Sequence, residues 1–489
     1  MEVTRAKVES AIDELEKLAQ GTVDAGDVPG LAIAVVHKDE VLSLKGFGVR
    51  AAGSPDPVDA NTVFQLASMS KPLAATVVAA LVSDGVVTWD DRVIEHDPRF
   101  QMYDPWVTHE VTIRDFFSHR SGLPGSAGND IEGIGYDRAA ILARLRLVPP
   151  AGSFRAYYSY SNFGLTAGAV AAARAAGMGW EDAAAEKLYR PLGMASTSSH
   201  YADYAAAANR ARLHTRLDGK WAPQFTRQPD AQSPAGGASS TARDLAEWLR
   251  LLLRNGAYGG KQLIAAAALA EMYVPQVMRG RDMVTGVPEF YGLGWAIDYA
   301  GDGCVYASHA GAFSNGARTY VRLLPAVDLG IVVLANAFPT GVPDGLADTF
   351  YDLVLRDEQS RNWVAFWNGT YEKLAAGFAA GSAQFAERHA EPSPALPPDA
   401  YTGTYHNDYV GDVEIVARDG DLVLLVGPDR VTFPLGHWNR DTFLYTSSPD
   451  LPDARSSVRF TIGAGGTADG AFIDTYAANG QGDFVRVPG

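Results

Sequence analysis

"FQLASMSKPL", residues 64–73, sets Lys71 one helical turn after Ser68, among Phe64, Leu66, Ala67, Met69 and Leu73, which read as buried. An ammonium group in such a stretch is costly unless it is paired or neutralised. On a helix, i, i+3 spacing puts both side chains on one face, within reach of each other. A lysine drawn out of water loses its proton more easily and can then take one from a nearby hydroxyl. If the helix begins near Ser68, Pro72 falls in its first turn, where a missing N–H is tolerated. The helix dipole then favours negative charge developing at Ser68. Taken alone, Ser-x-x-Lys recurs by chance, so the rest of the chain has to supply the remainder of a site.

Outward from this stretch, Val8, Ile12, Leu15 and Leu18 recur at helical spacing, an amphipathic first helix over residues 5–20. "GLAIAVVHKDEVLSLKGFGVR" (30–50) reads as a hairpin of two apolar strands joined at His37-Lys38-Asp39-Glu40. From Ser68 to about 280 the helical period dominates, as in "TARDLAEWLRLLLRNG", opened by Thr241 and closed by Gly256. Strands return at "GCVYASHAG", "ARTYVRLLP" and "LGIVVLANA". Strands at both ends of a helical middle imply one sheet assembled from distant segments, with a mostly helical subdomain inserted at about 65–285 and a ligand-sized cleft between them. A helix-rich tract is expected to end near His389. "AEPSPALPPD" (390–399) then packs four prolines into ten residues, a linker. Residues 400–489 read as roughly eight short alternating strands between Gly, Asp and Asn turns, which suggests a small closed barrel.

The bulk composition narrows the functional classes. The 489 residues are 47% hydrophobic, enough for a large core. Forty-one Lys and Arg against fifty-seven Asp and Glu give a net charge of −16, so no basic field attracts nucleic acid or an anionic membrane surface. Cys304 is the one cysteine and reads as a buried strand residue. No stretch has the length of a signal peptide core or a membrane span, and the expected location is cytoplasmic. His37, His200, His214 and His406 form no metal-ligand spacing, no P-loop or HExxH occurs, and no cofactor is expected. Gly-x-Ser-x-Gly is absent too; "AFSNG" (312–316) has Ala312 where its first glycine would be.

Two further stretches complete the pattern. "PPAGSFRAYYSYSNFGLTAGAV" (149–170) contains Tyr160-Ser161-Asn162, and "YASHAGAFSNG" (306–316) carries His309-Ala310-Gly311 at the end of an apparent strand. With Ser68-x-x-Lys71 they resemble, in order, the three motifs of the serine β-lactamase and penicillin-binding protein superfamily. "FFSHRSGLPG" (116–125), "SPAGGASSTARDLAEWL" (233–249) and "YGLGWAI" (291–297) look most like the class C β-lactamase-related esterases, D-aminopeptidases and penicillin-binding-protein-type thioesterases. The likeness covers about residues 25–340, and the C-terminal segment resembles the lipocalin-like barrel appended to many members. The resemblance implies an α/β catalytic domain over 1–389, an antiparallel sheet flanked by helices with an inserted helical subdomain, and an all-β barrel over 400–489.

It also implies residue roles. Ser68 attacks a carbonyl to give an acyl-enzyme. Lys71 and Tyr160 share the proton work, with either Tyr160, its pKa lowered by the lysine, or neutral Lys71 as the base. Asn162 orients Lys71 and, with His309, Gly311 and Ala312, contacts the substrate. The backbone N–H groups of Ser68 and Ala312 form the oxyanion hole. His309 stands where β-lactamases and DD-peptidases carry the lysine of Lys-Thr-Gly. Histidine is only partly charged near neutral pH, so weak or absent β-lactam hydrolysis is expected. The expected substrates are esters, thioesters or peptide amides, including D-configured acyl groups, free or bound to a carrier protein. A stand-alone thioesterase that macrocyclises nonribosomal peptides is the sharper alternative, and a non-catalytic penicillin-recognising sensor the one of another class. His119 in "SHRSG" reads as a loop-holding residue, and the oligomeric state stays open.

Overall fold

The computed structural model describes residues 3–299, 304–380, 385, 391–447 and 455–488. Eight strands form one antiparallel sheet: β1 (Gly30–His37), β2 (Glu40–Gly48), β3 (Val277–Arg281), β4 (Pro288–Tyr291), β5 (Ala296–Tyr299), β6 (Val305–Phe313), β7 (Ala317–Leu324) and β8 (Leu329–Ala335), in the spatial order β2-β1-β8-β7-β6-β5-β4-β3. The N-terminal hairpin therefore sits beside the last strand of the domain in sequence, as a sheet built from distant segments requires. Five of the longer helices are α1 (Arg5–Asp24), α2 (Ser70–Ser83), α3 (Asn162–Ala175), α4 (Ala242–Leu253) and α5 (Val342–Arg356).

Strand β1 is buried on both faces, and its alternation sorts two cores. Leu31, Ile33 and Val35 join the core under α1 and α5, whereas Ala32, Ala34 and Val36 join the one under α4 and the helical region. Helix α2 is buried over most of its surface, an apolar rod through the second core rather than an amphipathic surface helix.

At the C-terminus eight strands close into a barrel: β9 (Gly403–Asn407), β10 (Gly411–Arg418), β11 (Asp421–Val426), β12 (Val431–Asn439), β13 (Thr442–Thr446), β14 (Arg455–Ile462), β15 (Ala468–Ile473) and β16 (Asp483–Arg486). Pairing of β9 with β16 closes it and removes the bare sheet edges. The fold is thus β-lactamase-like α/β with a C-terminal all-β barrel. The barrel shares an apolar core with the helical region through Tyr409, Val410 and Tyr476, and Gly427 lies against the backbone of Ile134. Tyr136 Oη donates to the Val410 carbonyl (2.7 Å), and Gln481 Nε2 to that of Leu147 (2.7 Å).

Two expectations need correction. Cys304 is half-buried at the edge of β6, not buried. The α-helix expected to begin near Ser68 begins at Ser70 and carries Lys71, with Ser68 in a preceding 3-10 turn. The expected end of the helical tract near His389 lies outside the described residues. No described helix is long and apolar enough to cross a membrane.

Candidate active site

Ser68 lies in the 3-10 turn Ala67–Met69, where Ala67 takes a left-handed conformation at φ 48°. The turn is tighter than the expected α-helix because the sheet presses on it. Thr319 Oγ1 of β7 donates to the Leu66 carbonyl (2.7 Å), and Ser70 Oγ donates to the Ala67 carbonyl (2.7 Å) while accepting from the N–H of Ala238 (3.0 Å). A Cβ on Gly311 would lie 2.1 Å from the Leu66 oxygen and 2.9 Å from the Met69 nitrogen, so only glycine lets β6 approach the turn this closely. Gly294 of "YGLGWAI" is left-handed at φ 75°, and a Cβ there would lie 2.8 Å from the Lys71 carbonyl oxygen. Two glycines thus seat the start of α2 from two sides.

Lys71 is completely buried. Its Nζ makes three polar contacts: Ser68 Oγ at 3.1 Å, Asn162 Oδ1 at 2.7 Å and the Ala235 carbonyl at 2.8 Å. No carboxylate partners it among the described residues, and burial holds its pKa well below the usual lysine range. The Nζ also sits 4.5 Å from the centre of the Tyr160 ring. Tyr160 is hydrogen-bonded with Ser68, which opposes the dominant effect of burial; burial still pushes its pKa well up. Burial disfavours charge on both groups, so the Tyr160 shift runs opposite to the expected lowering by lysine.

Asn162 opens α3, whose N-cap Ser161 accepts from the N–H of Gly164 (3.1 Å). His309 is buried with both ring nitrogens engaged: Nδ1 donates to the Ala310 carbonyl (2.7 Å), so Nε2 accepts from the Tyr291 hydroxyl (2.8 Å). Burial lowers its pKa to about 3. That lowering is at odds with the expected partly charged ring; the histidine bonds to Tyr291, and its ring centre lies 6.2 Å from that of Tyr160. His119, left-handed at φ 56°, accepts at Nδ1 from the N–H of Ser161 (3.1 Å) and packs 4.4 Å from the Tyr160 ring centre.

Ser68, Asn162 and Ala312 line a cleft of about 1150 Å³. Its walls include Arg227 and Glu132 from the helical region and Phe433, Tyr445 and Tyr476 from the barrel. Sequence reasoning missed Ala235, Asn129 and Tyr291 as parts of this site. Asn162 Nδ2 donates to Asn129 Oδ1 (3.2 Å), but a lone asparagine in a Gly-rich loop carries no signal of that. Ala235 and Tyr291 lie inside two of the phrases that carried the resemblance, where their neighbours could have drawn attention to them. Among the described residues, Asp91, Glu95 and His96 have a spacing fit for a metal ion, but they do not line the cleft and are bonded to Thr88, to Arg92 and, for His96 with Asp91, to each other.

A family model described as Beta-lactamase matches residues 15–356. The chain belongs to the beta-lactamase family. A second model, a domain of unknown function (DUF3471), matches residues 387–484, the barrel segment. Within curated proteins, this beta-lactamase-family chain is 26% identical over 431 residues to the Unguisins hydrolase ungD' of Aspergillus campestris, covering 83% of this chain and 77% of that one. It is 29% identical to Penicillin-binding protein 4 of Amycolatopsis lactamdurans, over 68% of this chain and 84% of that one. The crystal structure of SurE with D-Leu superposes with a TM-score of 0.56 at 22% identity, covering 98% of this chain and 100% of that chain, a likeness of fold.

Proposed function

We propose that this beta-lactamase-family protein is a serine acyl hydrolase or acyltransferase in which Ser68 is the nucleophile and neutral Lys71 its general base. The carrying observation is the set of contacts at Lys71 Nζ. A neutral amine has two N–H bonds and one lone pair; the two shortest contacts, to Asn162 Oδ1 and the Ala235 carbonyl, take the N–H bonds. The lone pair is left for the Ser68 hydroxyl. Among the described residues a fully charged ammonium would be buried with no counter-ion, which is costly.

In the proposed reaction Lys71 takes the proton from Ser68 Oγ as Oγ bonds to the substrate carbonyl carbon. The negative charge passes to the carbonyl oxygen, received by the backbone N–H groups of Ser68 and Ala312; losing one such donor costs about 3–4 kcal/mol. As the tetrahedral species collapses, the bond to the leaving nitrogen, oxygen or sulfur breaks, and Tyr160 gives its proton to the departing atom. The ammonium of Lys71 then reprotonates Tyr160. Water or an amine repeats the sequence on the acyl-enzyme. His309 supplies no cation, which supports ester, thioester or peptide amide substrates over β-lactams. D-configured acyl groups fit the likeness to SurE, whose crystal structure holds D-Leu.

The volume of the cleft and its barrel wall favour a second, sharper reading, in which a peptidyl thioester delivered by a carrier protein is released as a macrocycle. A fluorophosphonate probe is expected to add covalently to the parent protein and not to Ser68→Ala; labelling that survives in Ser68→Ala excludes this nucleophile. Thioester-linked peptides, p-nitrophenyl esters and D-amino acid amides assayed side by side separate the two readings. Macrocyclic product favours cyclisation, and turnover of simple esters alone counts against it.

A further inference from the structure

The barrel does more than wall the cleft: it is bonded to the short turn that holds Asn162. Asn129 begins the single helical turn Asn129–Glu132, behind Gly128 in a left-handed conformation at φ 83°. Its Oδ1 accepts from Asn162 Nδ2 (3.2 Å), and its Nδ2 donates to the Gly125 carbonyl (2.9 Å). Asn162 passes the connection to Lys71 through its other side-chain atom, Oδ1 (2.7 Å).

On the opposite side, the same turn is gripped by two barrel residues, both buried. Tyr409, just after β9, accepts at Oη from the N–H of Gly128 (2.8 Å) and donates to Asp130 Oδ1 (2.6 Å). Asn479, between β15 and β16, donates from Nδ2 to Asp130 Oδ2 (2.6 Å) and accepts at Oδ1 from Ser126 Oγ (2.6 Å). Four bonds from two barrel side chains thus fix residues 126–130. Asp130 is half-buried, and the two hydrogen bonds it receives offset part of the desolvation that raises its pKa.

We infer that Asn129 is a positioning residue for the Asn162–Lys71 pair and that Tyr409 and Asn479 hold it there, so that barrel docking sets the geometry of the general base. The chain of contacts runs Tyr409 and Asn479, Asp130 and its turn, Asn129, Asn162, Lys71, Ser68. Among the described hydrogen bonds, Asn129 reaches Lys71 through Asn162. The inference rests on the Ser68–Lys71 reading, and it predicts a loss of turnover with binding retained, because an amide that drifts leaves the lysine misdirected while the cleft walls stay in place.

The test uses the full chain and p-nitrophenyl acetate, with the release of p-nitrophenol followed through both the acylation burst and steady state. Tyr409→Phe keeps the ring and removes only the hydroxyl; Asn129→Ala removes the last link. Both are expected to lower the acylation rate and kcat about 10- to 100-fold, with KM unchanged within about twofold. Gln481→Ala removes another barrel-docking bond, one that does not lead to Asn129, and is expected to lower the melting temperature without lowering kcat. Parent-like kcat in a folded Tyr409→Phe protein overturns the inference even if Asn129→Ala does not fold. An equal kcat loss in Gln481→Ala overturns it as well, since general loosening would then suffice. Activity that survives Ser68→Ala defeats the underlying reading instead, so the two failures are distinguishable.

Discussion

Burial makes both Lys71 and His309 harder to protonate, and for His309 that has a measurable cost. An unfolded chain exposes His309 at its ordinary pKa near 6.5, whereas the folded ring accepts a proton only near pH 3. Between those values the unfolded state binds the extra proton, so stability is fully present above about pH 6.5 and declines as pH falls towards 3. The slope from this one residue is about 1.4 kcal/mol per pH unit inside the window. Urea unfolding at pH 7, 5.5 and 4.5 should show that decline, and His309→Gln should flatten it by about one proton. An unchanged slope would mean that His309 titrates normally in the folded protein. His119, also held neutral by burial, adds to the same acid sensitivity. The Ser68–Lys71 pairing was legible from i, i+3 spacing, since a helical turn joins them. The charge state of His309 was not, because its desolvation comes from packing against Tyr291 and Tyr160.

Among elements, the contact between β6 and the turn Ala67–Met69 decides where the nucleophile sits. Gly311 is the point of closest approach, and Thr319 on the neighbouring strand adds the hydrogen bond to Leu66. Gly311→Ala places a methyl group within 2.1 Å of the Leu66 backbone oxygen and 2.3 Å of Thr319 Oγ1. The variant is expected to lose about 1–3 kcal/mol of stability and to acylate more slowly, read by thermal denaturation and by the p-nitrophenol burst. Parent-like values for both would show that the turn has slack. The hairpin of β1 and β2, helix α4 with its Thr241 cap, and the closing strands were readable from period and turn residues. The 3-10 turn at Ser68 was not, because its left-handed Ala67 is imposed by Leu66, Thr319 and Gly311 meeting across the fold, and alanine carries no local preference for that conformation.

For the whole molecule, the continuity of one apolar core from α2 to the barrel predicts shared stability. Tyr409, Val410 and Tyr476 lie in the same cluster as Ile131 and Ile134 of the helical region, and the polar bonds at Asp130 span the same junction. Calorimetry on the full chain should therefore give one unfolding transition; two well-separated ones would show that the barrel melts alone. The sequence by itself determined the N-terminal hairpin and the last three strands of the sheet, that a barrel follows the proline-rich stretch, and the order of the three motifs, because each depends on residues a few positions apart; it left β3, β4 and β5 unread. Only the tertiary structure decided what surrounds Lys71. Ala235 lies 164 positions from it and Asn162 lies 91, and Tyr409 reaches Asp130 across 279. Contacts over such separations have no local periodicity to betray them; they exist because the folded core brings those backbones together and excludes the water that would otherwise have satisfied their polar groups.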